Sequence, residues 1–274
     1  MAENMSGVEP ARDYDQMVDW DKRLARERPF FRDLFESVGV RRVIDVGCGS
    51  GKHAIMFSEW GLEVIGIDPN ESMLLQAREN AAADGADVRF VEGGFGEIER
   101  IAGTGWDAVT TLGNGLPHVD GAKGLASAVA DFAAALRPGG VAVLHLLNHA
   151  RLIENRIRMM PAVLRETPEG DRVFLKVIDY VDGGIMFDFV TLTRDPEAGP
   201  SPGGAFAVDD PAATGWHLRS RRSVHTALPI EMLLQALKTA GFDPVESFGD
   251  HMKRPLSPNE DESVIVVARR SSAG

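Results

Sequence analysis

Residues 43–57 read VIDVGCGSGKHAIMF. An apolar run, Val43 to Val46, carries one acid, Asp45. Gly47, Gly49 and Gly51 then alternate, and a helix-like stretch follows. Glycine is used where backbone must approach a ligand or take a positive φ. In an open α/β sheet, ligands sit beyond the carboxyl ends of strands, where the chain turns into a helix. The stretch therefore predicts a strand, a ligand-facing turn and a helix.

The pattern extends in both directions. Arg42 to Val46 reads as a strand and Lys52 to Trp60 as a helix closed by Gly61. Glu63 to Ile67 is a strand ending at Asp68, and Ser72 to Ala83 is a helix entered through Pro69-Asn70. Val88 to Glu92 and Asp107 to Leu112 are strands. Ala122 to Leu136 is an alanine-rich helix stopped by Pro138-Gly139-Gly140, and Val141 to Leu147 is an apolar strand. Strands and helices alternating at this spacing predict a doubly wound, mostly parallel Rossmann-like α/β sheet. Upstream, residues 21–38 look helical, with Pro29 as a kink or break, and residues 1–13 read as polar and mobile.

Beyond residue 150 the rhythm changes. Residues 173–180, 185–193 and 216–225 read as three strands with no helix between them. Asp182-Gly183-Gly184 is a hairpin turn. A loop rich in Pro, Gly and Ala, residues 195–215, reads as mobile. Helix Pro229 to Ala240 and strands Val245 to Phe248 and Val264 to Ala268 follow, the last strand antiparallel because no helix fits before it. The expected organisation is an N-terminal lid and helix (1–40), an α/β core (41–150), an antiparallel β insertion over the active site (151–226) and the remainder of the core (227–274).

The chain has 274 residues, 44% of them hydrophobic, enough for a substantial core. Its 29 Lys and Arg against 41 Asp and Glu give a net charge of -12. This disfavours a general nucleic-acid binder, which needs a basic face. There is one cysteine, Cys48, between two motif glycines, where a small buried residue is the expected reading. No apolar run approaches the ~20 residues of a membrane span, and the first residues lack the apolar segment of a signal peptide. A soluble cytoplasmic protein is expected.

Asp68 ends the second strand, about 20 residues after the turn begins, where an acid reaches ribose hydroxyls. That alone fits a dinucleotide or S-adenosylmethionine. The spacing Gly-x-Gly-x-Gly differs from the dinucleotide Gly-x-Gly-x-x-Gly. Asp45 would repel a pyrophosphate but suits an ammonium and a sulfonium. With these features VIDVGCGSG resembles the first motif of class I S-adenosylmethionine-dependent methyltransferases, VIGID the second, and LRPGG with VAVLHL the turn and fifth strand. WDAVTTLGNGLPHV (106–119) and HLLNHARL (145–152) resemble the glycine and sarcosine N-methyltransferase group. The resemblance runs from about Tyr14 to Arg269.

The resemblance implies that Gly47, Gly49, Asp68, Leu112 and Asn114 border the cofactor. It implies that Tyr14 and Arg23 come from a lid, with Arg23 on the methionine carboxylate, and that Phe95 packs against adenine. One departure stands out. Gly93-Gly94-Phe95 has Gly94 where many members carry an acid for the adenine amine, leaving Glu97 or a backbone carbonyl to serve. His118 and His149, after the fourth and fifth strands, are candidate bases or hydrogen-bonding groups for the acceptor, with Asn114 and Asn148 as further acceptor contacts. His217, Arg219, Arg221, Ser223 and His225 share one strand face, either a clamp for an anionic substrate or a solvated surface, the second preferred. Met159 and Met160 are expected in core packing, with contact to the substrate as the alternative. No Cys or His spacing matches a zinc motif. The expected activity is methyl transfer from S-adenosylmethionine to a small molecule at an amine nitrogen. The alternatives are O-methylation, a nicotinamide-dependent oxidoreductase and a non-catalytic S-adenosylmethionine sensor. Oligomeric state stays open, a homodimer included.

Overall fold

The computed structural model describes residues 9–167, 170–197 and 215–272. The chain divides into two compact units, one made of residues up to Asn155 and from Thr226 onward, the other of Arg156–His225.

The first unit begins with α1 (Glu9–Met17) and α2 (Trp20–Val38), then alternates β1 (Arg42–Val46), α3 (Lys52–Ser58), β2 (Glu63–Asp68), α4 (Glu71–Asp84), β3 (Arg89–Glu92), α5 (Ile98–Ala102), β4 (Trp106–Thr111), α6 (Gly121–Ala135), β5 (Leu136–Leu147) and α7 (His149–Glu154). A 3-10 turn, Leu116–His118, follows β4. After the second unit come α8 (Ile230–Thr239), β10 (Phe242–Phe248) and β11 (Ser263–Arg270). The seven strands pair in the order β10-β11-β5-β4-β1-β2-β3. β11 is antiparallel to both neighbours, β10 and β5, while β5, β4, β1, β2 and β3 are parallel.

Both faces of this sheet are covered, so its central strands are apolar on both sides. Alternation assigns each side chain to a layer. Val43, Ala108, Val143 and Val267 pack under α2, α3 and α4 with Phe31, Phe35, Phe57 and Leu74. Ile44, Val46, Val109, Leu144 and Val266 pack on the other face with Phe132, Leu233 and Leu237. Each fully buried Phe or Leu contributes roughly 1.5–3 kcal/mol.

The N-terminal region differs from its sequence reading. Residues 9–13 are helical rather than part of a mobile tail, and residues 1–8 lie outside the described residues. α2 runs through Pro29 without a break. It is capped by Asp19, which accepts from Lys22 N, and by Gly39 in the left-handed region. Buried Phe30, Phe31, Leu34 and Phe35 hold the helix to the sheet, and that packing outweighs the hydrogen bond lost at proline. α5 and α7 are too short to show helical periodicity.

The second unit holds the four-stranded sheet β6 (Val163–Arg165), β7 (Arg172–Val181), β8 (Gly184–Arg194) and β9 (Trp216–Thr226), paired in that order. β7 and β8 form a hairpin closed by Val181↔Gly184 around Asp182-Gly183. The three-residue β6 is an addition to the sequence reading. Of the 195–215 loop, residues 198–214 lie outside the described residues. The polar face of β9 is split: His217 and Arg221 are exposed, whereas His225 is buried and packs against Phe187 at 4.7 Å between ring centroids. Met159 is 55% exposed, contrary to the packing expected of it.

Gly51 shows how tightly the turn after β1 is built. It caps α3 at φ 78°, and an added Cβ would lie 2.7 Å from Phe90 Cζ and 2.9 Å from Ala77 Cβ. Strain at positive φ and overpacking add. Gly51→Ala is expected to lose at least about 2 kcal/mol in urea unfolding; an unchanged midpoint would show that the turn relaxes freely.

Candidate active site

The turn after β1 is fixed by its own backbone. Gly47 N and Cys48 N donate to Ile67 O at 2.7 and 3.1 Å, and Gly51 N donates to Cys48 O at 3.0 Å. Gly47 and Gly49 have φ of 70° and 55°, a region that only glycine enters without strain. Asp68 closes the arrangement. One carboxylate oxygen accepts from Gly49 N at 2.9 Å and the other from Asn70 N at 2.9 Å. Burial pushes the Asp68 pKa up, against these two backbone bonds. Each oxygen keeps a second lone pair for a further donor. Cys48 beside them is buried, and burial pushes its thiol pKa well up, so it is an inert packing residue.

Gly47 faces Phe95 and the end of β4. A Cβ built on Gly47 would lie 3.9 Å from Phe95 Cζ, 3.9 Å from Thr111 Oγ1 and 3.8 Å from Gly115 Cα. Phe95 in turn meets Phe132 edge-on, 6.0 Å between centroids. Leu112 is buried at this point. Gly113 and Asn114 both take φ 70°. A Cβ on Gly113 would lie 3.3 Å from Tyr14 Oη and 3.7 Å from Arg23 Nη1. The structure thus brings α1 and α2 to the carboxyl ends of β1, β2 and β4, together with Gly47, Gly49, Asp68, Phe95 and Leu112.

Two charged groups here have atoms left over. Arg23 Nε donates to Glu27 Oε1 at 3.0 Å, while its Nη2 is buried with no hydrogen-bond partner among the described residues. Burial opposes the Arg23 charge, but Glu27 and Tyr14 outweigh it and keep the guanidinium protonated. Asp45 Oδ1 accepts from Thr110 Oγ1 at 2.8 Å, and its Oδ2 is buried without a partner among the described residues. Burial pushes the Asp45 pKa up. An unmet buried cationic nitrogen and an unmet carboxylate oxygen suit a ligand bearing both an acid and an ammonium group.

The residues expected at the acceptor separate. Asn114 Oδ1 accepts from Leu147 N at 2.9 Å, and Asn114 N donates to His145 O at 3.1 Å; this residue fastens the end of β4 to β5. Asn148 caps α7, and its Nδ2 donates to Pro258 O at 2.6 Å and Asp261 O at 2.9 Å. Asn148 is a structural residue with its polar atoms engaged. His118 is the exposed last residue of the otherwise buried 3-10 turn. His149 is 1% exposed, and its Nδ1 accepts from Leu228 N at 3.1 Å. That leaves no lone pair for a base. Glu97, suggested for the adenine amine, accepts instead from Gly94 N at 3.1 Å and pairs with Arg100 at 2.6 Å.

Sequence reading missed Asp15, Glu27, His53, His145 and His251. Asp15 ties α1 to the glycine turn: it accepts from Ser50 Oγ, from Trp20 Nε1 at 3.0 Å and from Asn80 Nδ2 at 3.0 Å. Glu27 is buried on α2, and its Oε2 pairs with His53 Nε2 at 2.7 Å. Burial pushes the Glu27 pKa up, but His53 and Arg23 more than reverse this and hold it far below the usual carboxylate range. The one local signal was the Arg23–Glu27 spacing of four on a helix.

The strand order, with the last strand inserted antiparallel beside β5, and the glycine turn at the end of β1 define a class I methyltransferase fold. Residues 43–140 match the family described as "Methyltransferase domain". It is 30% identical over 142 residues to the glycine/sarcosine N-methyltransferase of Halorhodospira halochloris, covering 52% of this chain and 53% of that protein. It thus spans about half the length of this relative. It is 28% identical over 257 residues to the glycine/sarcosine N-methyltransferase of Aphanothece halophytica, covering 94% of this chain and 86% of the relative. The fold is shared with an S-adenosylmethionine-dependent methyltransferase from Clostridium acetobutylicum ATCC 824, with a TM-score of 0.75, 13% identity, and 96% and 98% of the two chains covered. Among the described residues, no helix is long and apolar enough to cross a membrane.

His149 provides a pH test. Burial pulls its pKa down to about 4, against a smaller opposing effect of the Thr226 backbone. The unfolded value is about 6.5. Between the two, the unfolded chain binds a proton that the folded chain does not, so stability falls as pH drops from about 6.5 towards 4. Between pH 7 and 5 this residue is expected to remove about 2 kcal/mol. Urea unfolding across that range should show the loss in the parent and a correspondingly smaller one in His149→Gln. An equal loss in both would exclude His149 as its source.

Proposed function

We propose that this chain transfers a methyl group from S-adenosylmethionine to the nitrogen of a small amine. The observation that carries the cofactor is the cradle itself: a glycine turn, a strand-end acid, and the unmet polar atoms of Arg23 and Asp45. Asp68 takes the ribose hydroxyls, Arg23 Nη2 the methionine carboxylate, and Asp45 Oδ2 the ammonium side. Phe95 and Leu112 line the adenine, and Tyr14 holds Arg23 in place. S-adenosylmethionine supplies an electrophilic methyl group on a sulfonium. The acceptor nitrogen provides the electron pair, which displaces the sulfur and leaves a neutral thioether.

Nitrogen is favoured over oxygen by two considerations. An amine already deprotonated needs no enzymic base, whereas a hydroxyl more often does. His149 has its lone pair occupied by the Leu228 amide, which leaves exposed His118 as the remaining base candidate. The glycine/sarcosine N-methyltransferases to which the chain is similar point the same way. Asn114 acts through the β4–β5 junction, shaping the space where the acceptor would lie.

Calorimetry is expected to show S-adenosylhomocysteine binding and no NAD binding at the same concentration; equal or tighter NAD binding would overturn the reading. Asp68→Ala should weaken that binding at least about tenfold, because each charge-assisted hydrogen bond is worth ~1.5–3 kcal/mol. Unchanged affinity in a folded variant would remove Asp68 from the site. Labelled cofactor with glycine, sarcosine, other small amines and hydroxy acids separates the acceptors: label in an amine supports nitrogen transfer, and label in hydroxy acids alone replaces it with O-methylation. A pH–rate limb in the histidine range, lost in His118→Gln, would assign His118 as base.

A further inference from the structure

Three side chains converge under α2, on the same sheet face as Asp45. Glu27 from α2, His145 from β5 and His251 from the segment between β10 and β11 each bring a ligating atom within 4.8 Å of the other two. His251 Nε2 is 3.8 Å from Glu27 Oε1, too far for a hydrogen bond. His251 is 8% exposed, and its Nε2 and His145 Nδ1 are both buried with no hydrogen-bond partner among the described residues. The two rings lie 5.4 Å apart, with Phe30 5.3 Å and Phe31 6.2 Å from His251. Two buried imidazole nitrogens, unmet among the described residues, beside a buried carboxylate call for a ligand that accepts an electron pair from each.

We propose that Glu27, His145 and His251 form a binding site for a divalent transition-metal ion of the zinc class. Two imidazole nitrogens and one carboxylate oxygen match the borderline preference of such ions, while magnesium and calcium select all-oxygen sites. Burial above all pulls the pKa of His145 down to about 3 and that of His251 to about 4, so both imidazoles carry free lone pairs at neutral pH. The carboxylate is already oriented, with Oε2 held by His53 and Oε1 by Arg23, as supporting groups orient ligands elsewhere. Metal–ligand bonds of about 2.0–2.2 Å place tetrahedral ligand atoms about 3.4 Å apart, so an edge of up to 4.8 Å must contract by as much as about 1.4 Å. Rotation of the imidazoles supplies this. Arg23 shares Glu27 and opposes the added charge, which tempers the affinity. The ion would join α2 to β5 and to the β10–β11 segment. The site shares Arg23 with the proposed cofactor cradle through Glu27, but its three ligands are read from their own geometry.

The test uses the full chain freed of metal by dialysis against a chelator. Cobalt(II) alone is expected to bind with one equivalent per chain, giving visible d–d absorption that zinc then displaces. His251→Ala and His145→Ala should each weaken cobalt binding at least tenfold, while His217→Ala, at an exposed position, should not. Zinc-edge absorption of the zinc-loaded parent should show two imidazoles at 2.0–2.1 Å, a readout that needs no variant to fold. Absence of a saturable equivalent, equal affinity in folded His251→Ala and His145→Ala, or a zinc shell without two imidazoles would overturn the proposal.

Discussion

The buried carboxylate of Glu27 is the constraint around which the N-terminal half of the active edge is organised. An isolated buried charge is prohibitively costly. Glu27 is therefore met by Arg23 four residues back on the same helix and by His53 from α3. Arg23 in turn reaches Tyr14 and the Gly113 turn. One charge thus fixes α2 against α3 and aims a guanidinium at the ends of β1 and β4. Asp15 repeats the device with α1, binding Ser50 of the glycine turn and Asn80 of α4. The two helices that precede the sheet are pinned by polar contacts exactly where the sheet presents its ligand edge.

The sheet determines what those helices meet. Strand alternation puts Val43 and Asp45 of β1, Ala108 and Thr110 of β4, and Val143 and His145 of β5 on the face under α2. Pairing of Asp45 with Thr110 across β1 and β4 is a matter of register, and their side chains bond as a result. Towards the carboxyl ends this face changes from aliphatic to polar. The other face stays apolar along β5 as far as Leu146, with Thr111 as a buried polar residue at the end of β4. Most polar groups therefore gather on the first face, where Arg23, Glu27, His53 and His251 collect.

Several polar residues that resemble site residues instead complete the scaffold. Asn114, Asn148 and His149 all satisfy backbone groups where strands end and the chain turns, at Leu147, at the start of α7 with the carbonyls of Pro258 and Asp261, and at Leu228. Strand ends leave backbone donors and acceptors unmet, and buried ones must be paired. A polar residue just after a strand is thus equally suited to a ligand or to its own chain, and only the coordinates of residues up to 113 positions away distinguish the two.

The sequence alone determined what depends on local rules. The parallel α/β order followed from alternating apolar runs, the glycine turn from its spacing, Asp68 as a strand-end acid from its position, and the antiparallel last strand from the lack of room for a helix. The hairpin turn at Asp182-Gly183-Gly184 was legible for the same reason, although Gly184 itself pairs with Val181. Tertiary structure decided the rest. α2 continues through Pro29 because four buried apolar side chains hold it, and propensity yields to packing. Glu27, His53, His145 and His251 meet only because α2 crosses the sheet at β5 and the β10–β11 segment turns back over it. These four residues lie up to 224 positions apart in a chain whose local pattern carries no record of that crossing. Burial and pairing, which set the charge states of Glu27, His145 and His251, are properties of the packed molecule.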